Sequence, residues 1–270
     1  LQLSVQEQKP FLAFRNVNVM RGERVILQDI HLEMRRGERI AILGPNGCGK
    51  STLIKAMTCE VYPLVQPGLH VEIFGRQRWD LTELKRKLGV VTSEAPGKAA
   101  RHTTAFDAVL TGFFSSATLW PNLVVTEPMR ELATAAMKHV GAEAFAQQEL
   151  GTLSAGQQKR VMIARALVGS GDTPEERMLL MDEPSNALDI AAQAELRNTM
   201  RSLVRQGTGL ILVTHHIADI IPEIDRVLMM RDGRIVGDGS RDEMITEQKL
   251  YDLFGVRVTI KEKDGYLHAW

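Results

Sequence analysis

The sequence predicts an α/β fold: a mostly parallel sheet, an antiparallel β-subdomain ahead of it and a helical subdomain inserted within it. Three observations carry this. Short apolar runs at 39–43, 178–182 and 209–214 stand between helical or turn-rich stretches. Two alternating runs lie close together near the N-terminus. From about Ser93 to Leu150 strand patterning fades and helical spacing takes over.

Taken in order, 14–19 and 25–34 read as antiparallel strands around a turn at Gly22. The run 39–43 reads as a buried strand that enters a Gly-rich segment, with a helix beginning near Lys50. Thr126 can cap a helix with Pro128 in its first turn. Met129, Leu132, Ala133, Ala136, Met137 and Val140 then recur at helical spacing, and Gly141 stops it. From Ile190 to Gln206, Leu196, Met200, Leu203 and Val204 share one helical face, and Gly207 ends it. Strand, helix, strand in this order implies parallel pairing. Beyond Ser240 the chain predicts a short helix, then an alternating run at 256–260, then Asp264-Gly265 as a hairpin turn. The expected organisation is one unit over 11–240, with its helical subdomain at about 93–168, and a C-terminal extension over 241–270. There is no internal repeat.

With 270 residues and 44% hydrophobic content, the chain can bury a sizeable core as one large domain or two closely joined lobes. Lysine plus arginine equals aspartate plus glutamate at 33 each, so no global field draws nucleic acid, and none is expected as a partner. Cys48 and Cys59 do not make a disulfide framework and fit a cytoplasmic setting. Residues 1–10 do not pattern as a signal peptide. No stretch approaches the roughly 18 apolar residues that cross a bilayer. Work at a membrane would be peripheral, at its inner face, through a partner.

Gly44, Pro45, Asn46, Gly47, Cys48, Gly49, Lys50, Ser51 and Thr52 fit the phosphate-loop pattern in full. Its backbone N–H groups can neutralise phosphate charge, and the glycines permit the tight curve and close approach. The following helix aims its positive end at the same point. Lys50 is expected to reach the β- and γ-phosphates of ATP, and Ser51 to hold Mg²⁺. A chance Gly-rich turn is the alternative, disfavoured by the strand before and the helix after. The core is therefore expected to be that of a P-loop NTPase. Cys48 reads as a small spacer, or as a point of sensitivity to thiol reagents.

The run 178–182 ends in Asp182 and Glu183. Asp182 can serve the metal, through its waters. Glu183, one step on, can direct water at the γ-phosphate. Alone the pair reads equally well as capping residues. Beside a phosphate loop it reads as catalytic.

Leu153-Ser154-Ala155-Gly156-Gln157-Gln158-Lys159-Arg160 resembles the signature of ATP-binding-cassette (ABC) ATPases, with Ala155 where glycine is usual. Asp182-Glu183-Pro184-Ser185-Asn186-Ala187-Leu188-Asp189 resembles that family's second acidic motif and D-loop, and Val213-Thr214-His215 its switch histidine. The motifs keep the family's order over roughly Phe11 to Ser240. The resemblance implies a head-to-tail homodimer, in which Ser154, Gly156 and Gln157 of one subunit face the phosphate loop of the other. It implies that His215 contacts the γ-phosphate, with Glu183 and Lys50 as its catalytic companions. It implies a separate transmembrane permease subunit. The helix start at Ser154 suits a phosphate, although a serine cap is ordinary in any helix.

Two positions depart from the family. Arg21 stands where an aromatic residue usually stacks on adenine. Its guanidinium can stack in the same way, or simply face solvent. Ser93, followed by Glu94, stands at the Q-loop glutamine that helps hold Mg²⁺ and links the site to the partner. Ser93 can serve the metal through water. Serine here is similar to a subset related to molybdate importers. The alternative to a transport motor is a soluble regulatory or assembly ATPase, and a third reading is a nucleotide-gated binding module with weak turnover. Phe113, Phe114, Leu119 and Trp120 can meet a membrane subunit or fill the helical subdomain's core.

Overall fold

The computed structural model describes residues 10–92, 97–169 and 177–270. The chain opens with β1 (Leu12–Arg21) and β2 (Arg24–Met34), paired antiparallel from Leu12↔Met34 to Arg21↔Arg24. Gly22, at φ 61°, lies in the turn that joins them. β4 (His70–Ile73) joins the other edge of β1, giving the order β2-β1-β4.

The main sheet runs β5-β6-β7-β3-β8-β9. Its strands are β3 (Arg39–Leu43), β5 (Leu88–Val91), β6 (Met178–Asp182), β7 (Gly209–Thr214), β8 (Arg226–Arg231) and β9 (Arg234–Ser240). Neighbours from β5 to β8 pair parallel, and β9 returns antiparallel on β8. The central strands lack alternation because both faces are covered. Ile40, Ile42, Leu180, Ile211 and Val213 pack towards the antiparallel sheet with Phe14, Val19 and Ile30. Ala41, Leu43, Leu179, Met181, Leu210 and Leu212 pack towards the helical lobe and the helices beyond β6.

Helices α1 (Lys50–Met57) and α2 (Leu81–Lys87) precede the lobe, which holds α3 (Ala105–Leu110), α4 (Glu127–His139) and α5 (Ala155–Gly169). Thr126 sits at the N-cap of α4 but its hydroxyl makes no cap bond, so only its extended backbone serves the start. Ala133 and Met137 are buried, whereas Leu132 is half exposed and lies off the buried stripe. Glycine brings α5 close: a side chain on Gly89 would meet the Ala166 carbonyl at 2.8 Å, and one on Gly112 the Arg165 carbonyl at 2.2 Å.

α6 (Ile190–Arg205) links β6 to β7 with Leu196, Met200, Leu203 and Val204 buried. The tail holds two helices rather than one, α7 (Arg241–Met244) and α8 (Glu247–Phe254). Its hairpin pairs β10 (Ile260–Lys263) with β11 (Tyr266–Ala269) around Asp264-Gly265, both at positive φ. The alternating run at 256–260 contributes only its end to this pairing. The turn fixes the register, and the few residues after Gly265 reach back no further than Thr259, which bonds Trp270.

Candidate functional site

The site lies beyond the carboxyl ends of β3, β7 and β6, where open α/β sheets gather their functional loops. β3 delivers the chain to Gly44, and α1 starts six residues later at Lys50. Gly47 at φ 79° and Gly49 at φ 111° take left-handed backbone, which explains glycine at both. Gly44 packs too close to tolerate a side chain: a Cβ would meet the Met230 carbonyl at 2.3 Å and Cys48 Sγ at 2.8 Å. The loop is tied down from behind, since Gly233 N donates to the Cys48 carbonyl at 2.9 Å. Asn46, Gly47 and Ser51 are exposed, Pro45 and Thr52 half-buried, Cys48 and Lys50 buried.

Lys50 Nζ donates to the carbonyls of Gly44 at 2.7 Å and Pro45 at 3.2 Å. It also lies 3.4 Å from Glu183 Oε1. The other carboxylate oxygen of Glu183 contacts His215 Nδ1. Glu183 has positive φ, 48°, with its N–H donated to Val213 O at 2.8 Å. That backbone is costly for a side-chain-bearing residue. It turns the carboxylate from the end of β6 towards Lys50 and the end of β7.

A buried network holds the histidine loop. Asp219, 3% exposed, accepts from Ser185 Oγ at 2.6 Å and Thr214 Oγ1 at 2.9 Å. Thr214 Oγ1 accepts in turn from His216 N at 2.9 Å. The network joins the segment after Glu183 to the turn carrying His215. Asp219 was not legible in the sequence, because an aspartate five residues past the end of β7, closing the short turn Ile217–Asp219, gives no spacing signal. His216, given no catalytic role, packs its ring 3.8 Å from that of His215.

Ser154 and Gln157 form a reciprocal cap at the start of α5: Ser154 N donates to Gln157 Oε1 at 2.9 Å, and Gln157 N to Ser154 Oγ at 3.3 Å. Gly156 lies against Ala192, where a Cβ would be 2.9 Å from that residue's own. Among the described residues no hydrogen bond or ion pair joins this segment to the phosphate loop. Arg21 is exposed at the end of β1, opposite Arg24. Ser93 and Glu94 lie outside the described residues. Phe113, Phe114 and Leu119 are half-buried, and Trp120 is exposed.

The donor set fits a magnesium ion. The Ser51 hydroxyl and Asp182 carboxylate are hard oxygen groups, and Mg²⁺ takes few protein ligands alongside phosphates. No group of three or more His, Cys, Asp or Glu among the described residues is arranged as a metal cage, as such a partly hydrated ion permits. Burial pushes the Cys48 thiol pKa up, partly offset by Lys50. Desolvation lowers the Lys159 ammonium, and Asp182 opposes that shift.

Comparison with known proteins gives a consistent result. Residues 27–186 match the family described as ABC transporter. The chain is 30% identical over 254 residues to the uncharacterized ABC transporter ATP-binding protein YlmA of Bacillus subtilis, covering 92% of each. It is 29% identical over 252 residues to the hemin import ATP-binding protein HmuV of Aliivibrio fischeri, covering 93% of this chain and 92% of that one. Among solved structures it is similar to the ATP-binding cassette MJ0796, dimeric in a post-hydrolysis state with ADP and Pi. That match has TM-score 0.67 and 27% identity, covering 85% of this chain and 98% of that chain. The expected likeness to molybdate importers finds no support in these names.

Proposed function

This chain belongs to the ABC transporter family and is an ATP-binding ATPase of that kind, and we propose that it powers a separate membrane permease as a head-to-tail dimer. The observation that carries the ATPase core of this reading is the Glu183 carboxylate lying between Lys50 and His215. The ATPase unit is taken as 11–240, with a helical subdomain over about 93–168, of which 93–96 lie outside the described residues, and 241–270 as an added tail.

The reaction is in-line attack of water on the γ-phosphate, driven by positioning and charge. Lys50 neutralises the β- and γ-phosphates, and the loop N–H groups from Asn46 to Thr52 hold them. Glu183 directs the water and accepts its proton, and His215 fixes the γ-phosphate against it. Ser51 and Asp182 would hold Mg²⁺, which when bound would supply further neutralisation of the phosphates. Arg21 stacks on the adenine. Ser154, Gly156 and Gln157 complete the site of a second copy. The exposed start of α5, at Ser154 and Ala155, supports that arrangement.

The permease reading rests on the relatives' import names and on a hollow of mixed polarity beside the helical lobe. A cavity of about 330 Å³ is lined by Phe113, Leu132, Ala136, His139, Leu167 and Arg177, and Trp120 is exposed on the same lobe. No helix among the described residues is long and apolar enough to cross a membrane. The test is affinity purification of Glu183→Gln with ATP and Mg²⁺ from native cells. Co-purification of a membrane subunit supports the transport role. A soluble partner, or the homodimer alone, transfers the ATPase to a regulatory or assembly role.

A further inference from the structure

Lys159 occupies a position that the ATPase mechanism above does not use. It lies in the first turns of α5, on the helical lobe, yet its Nζ donates to the backbone carbonyl of Thr92 at 3.0 Å. Thr92 follows β5 directly. β5 and β6 pair in parallel with Val91 opposite Met181. One step further along both strands brings Thr92 alongside Asp182. The ammonium is therefore anchored at the strand ends that present the metal-holding carboxylate. α5 is held there by backbone: Gly89 on β5 lets the Ala166 carbonyl approach to a distance no side chain would allow.

Burial lowers the Lys159 ammonium's pKa, and the neighbouring charge that opposes the shift is Asp182. A partly desolvated cation beside a carboxylate interacts more strongly than the same pair in water. A fixed positive charge from the helical lobe stands close by.

We propose that Lys159 is a positioning residue that ties the helical lobe to the ends of β5 and β6 and competes with Mg²⁺ for the field of Asp182. The inference rests on the reading of Asp182 as a metal-holding residue. Its energetic content is reciprocal: what Lys159 takes from the affinity for the metal, the bound metal takes from the anchoring of α5.

The test is equilibrium binding of a fluorescent, non-hydrolysable ATP analogue, titrated with Mg²⁺, so that turnover plays no part. Wild type must first show Mg²⁺-dependent binding. If it does not, the assignment of Asp182 and Ser51 fails, and with it the premise. Given that dependence, Lys159→Gln is expected to lower the half-saturating Mg²⁺ by about fivefold or more. Lys159→Arg, which keeps the charge, should stay within about twofold of wild type. Lys159→Met, matched in length, should follow Gln and decides the matter if Gln does not fold. An unchanged half-saturation in Gln and Met overturns the proposal, and so does an equal shift in Arg, which would make the effect one of packing.

Discussion

Glu183 Oε1 lies 3.4 Å from Lys50 Nζ, and both side chains are largely buried. The same carboxylate contacts His215. One anion thus bridges the two groups that a γ-phosphate would use. Glu183→Gln keeps the shape and removes the charge. ATP binding should survive, while turnover falls by about 10²–10⁴-fold. An ATP-bound dimer should then accumulate on size-exclusion chromatography. Full turnover in this variant would remove Glu183 from the mechanism.

His215 separates positioning from binding. Its side chain is partly exposed beside Glu183, and the phosphate loop does not depend on it for shape. His215→Ala should lower kcat by about 10²–10³-fold, as loss of one placed donor does elsewhere. The affinity for ATP should change little, because Lys50 and the loop N–H groups remain. A loss confined to ATP affinity, with kcat intact, would place His215 outside the chemistry.

Asp219 supports that histidine from beneath. It is buried and accepts from two hydroxyls, Ser185 Oγ and Thr214 Oγ1. Asp219→Ala leaves both donors without their acceptor in a dry environment. The expected loss is about 2–4 kcal/mol in urea unfolding, since each orphaned buried group costs about 1–3 kcal/mol. ATPase activity should fall as well, because Thr214 also receives His216 N and so shapes the turn. Stability and activity both unchanged would show the network to be dispensable.

The residues proposed to hold phosphate and direct water stand out in the sequence because their chemistry restricts them: Gly44, Gly47 and Gly49 by backbone, Lys50 and Glu183 by charge. The strands β3, β6 and β7 were legible as short apolar runs. β8 was not picked out, although Asp232-Gly233, both at positive φ between β8 and β9, is the same kind of hairpin signal as Asp264-Gly265. β9 was not, because Gly237 and Gly239 interrupt it. Both glycines pack against Met244 of α7, whose flexible side chain would lie 2.3 Å and 3.2 Å from a Cβ there and would have to shift. That contact exists only in three dimensions, and so does the Asp219 network. Local pattern reports on neighbours along the chain, whereas these residues answer to neighbours across the fold.

Gly44 offers a test of loop packing apart from catalysis. A methyl group there would run into the Met230 carbonyl and Cys48 Sγ. Met230 lies on β8, part of the main sheet, so the backbone it offers cannot retreat cheaply. Gly44→Ala should therefore displace the phosphate loop and abolish ATP binding, with a loss of about 1–3 kcal/mol in stability from overpacking. Gly22→Ala is the control. Gly22 also has positive φ but nothing stands within 4 Å of its missing Cβ. It should cost stability through strain alone and leave nucleotide binding in place. Equal ATP affinity in both variants would contradict the packing account.

Cys48 gives the last prediction, and the direction follows from its burial. The thiol is 5% exposed inside the phosphate loop, and desolvation raises its pKa above the ordinary value despite the nearby Lys50. The thiolate is the reactive form, so a raised pKa leaves less of it at neutral pH. Iodoacetamide at pH 7 should label Cys48 more slowly than a free peptide thiol. The rate should climb with pH through and above the ordinary thiol range rather than level off below it. Cys59, raised by burial in the same direction, provides an internal comparison outside the loop. Peptide mass spectrometry resolves the two. If Cys48 instead reacts fast at pH 7, with a plateau at low pH, the loop's positive field outweighs burial. The cysteine would then be a sensitive point of the site rather than a packed spacer.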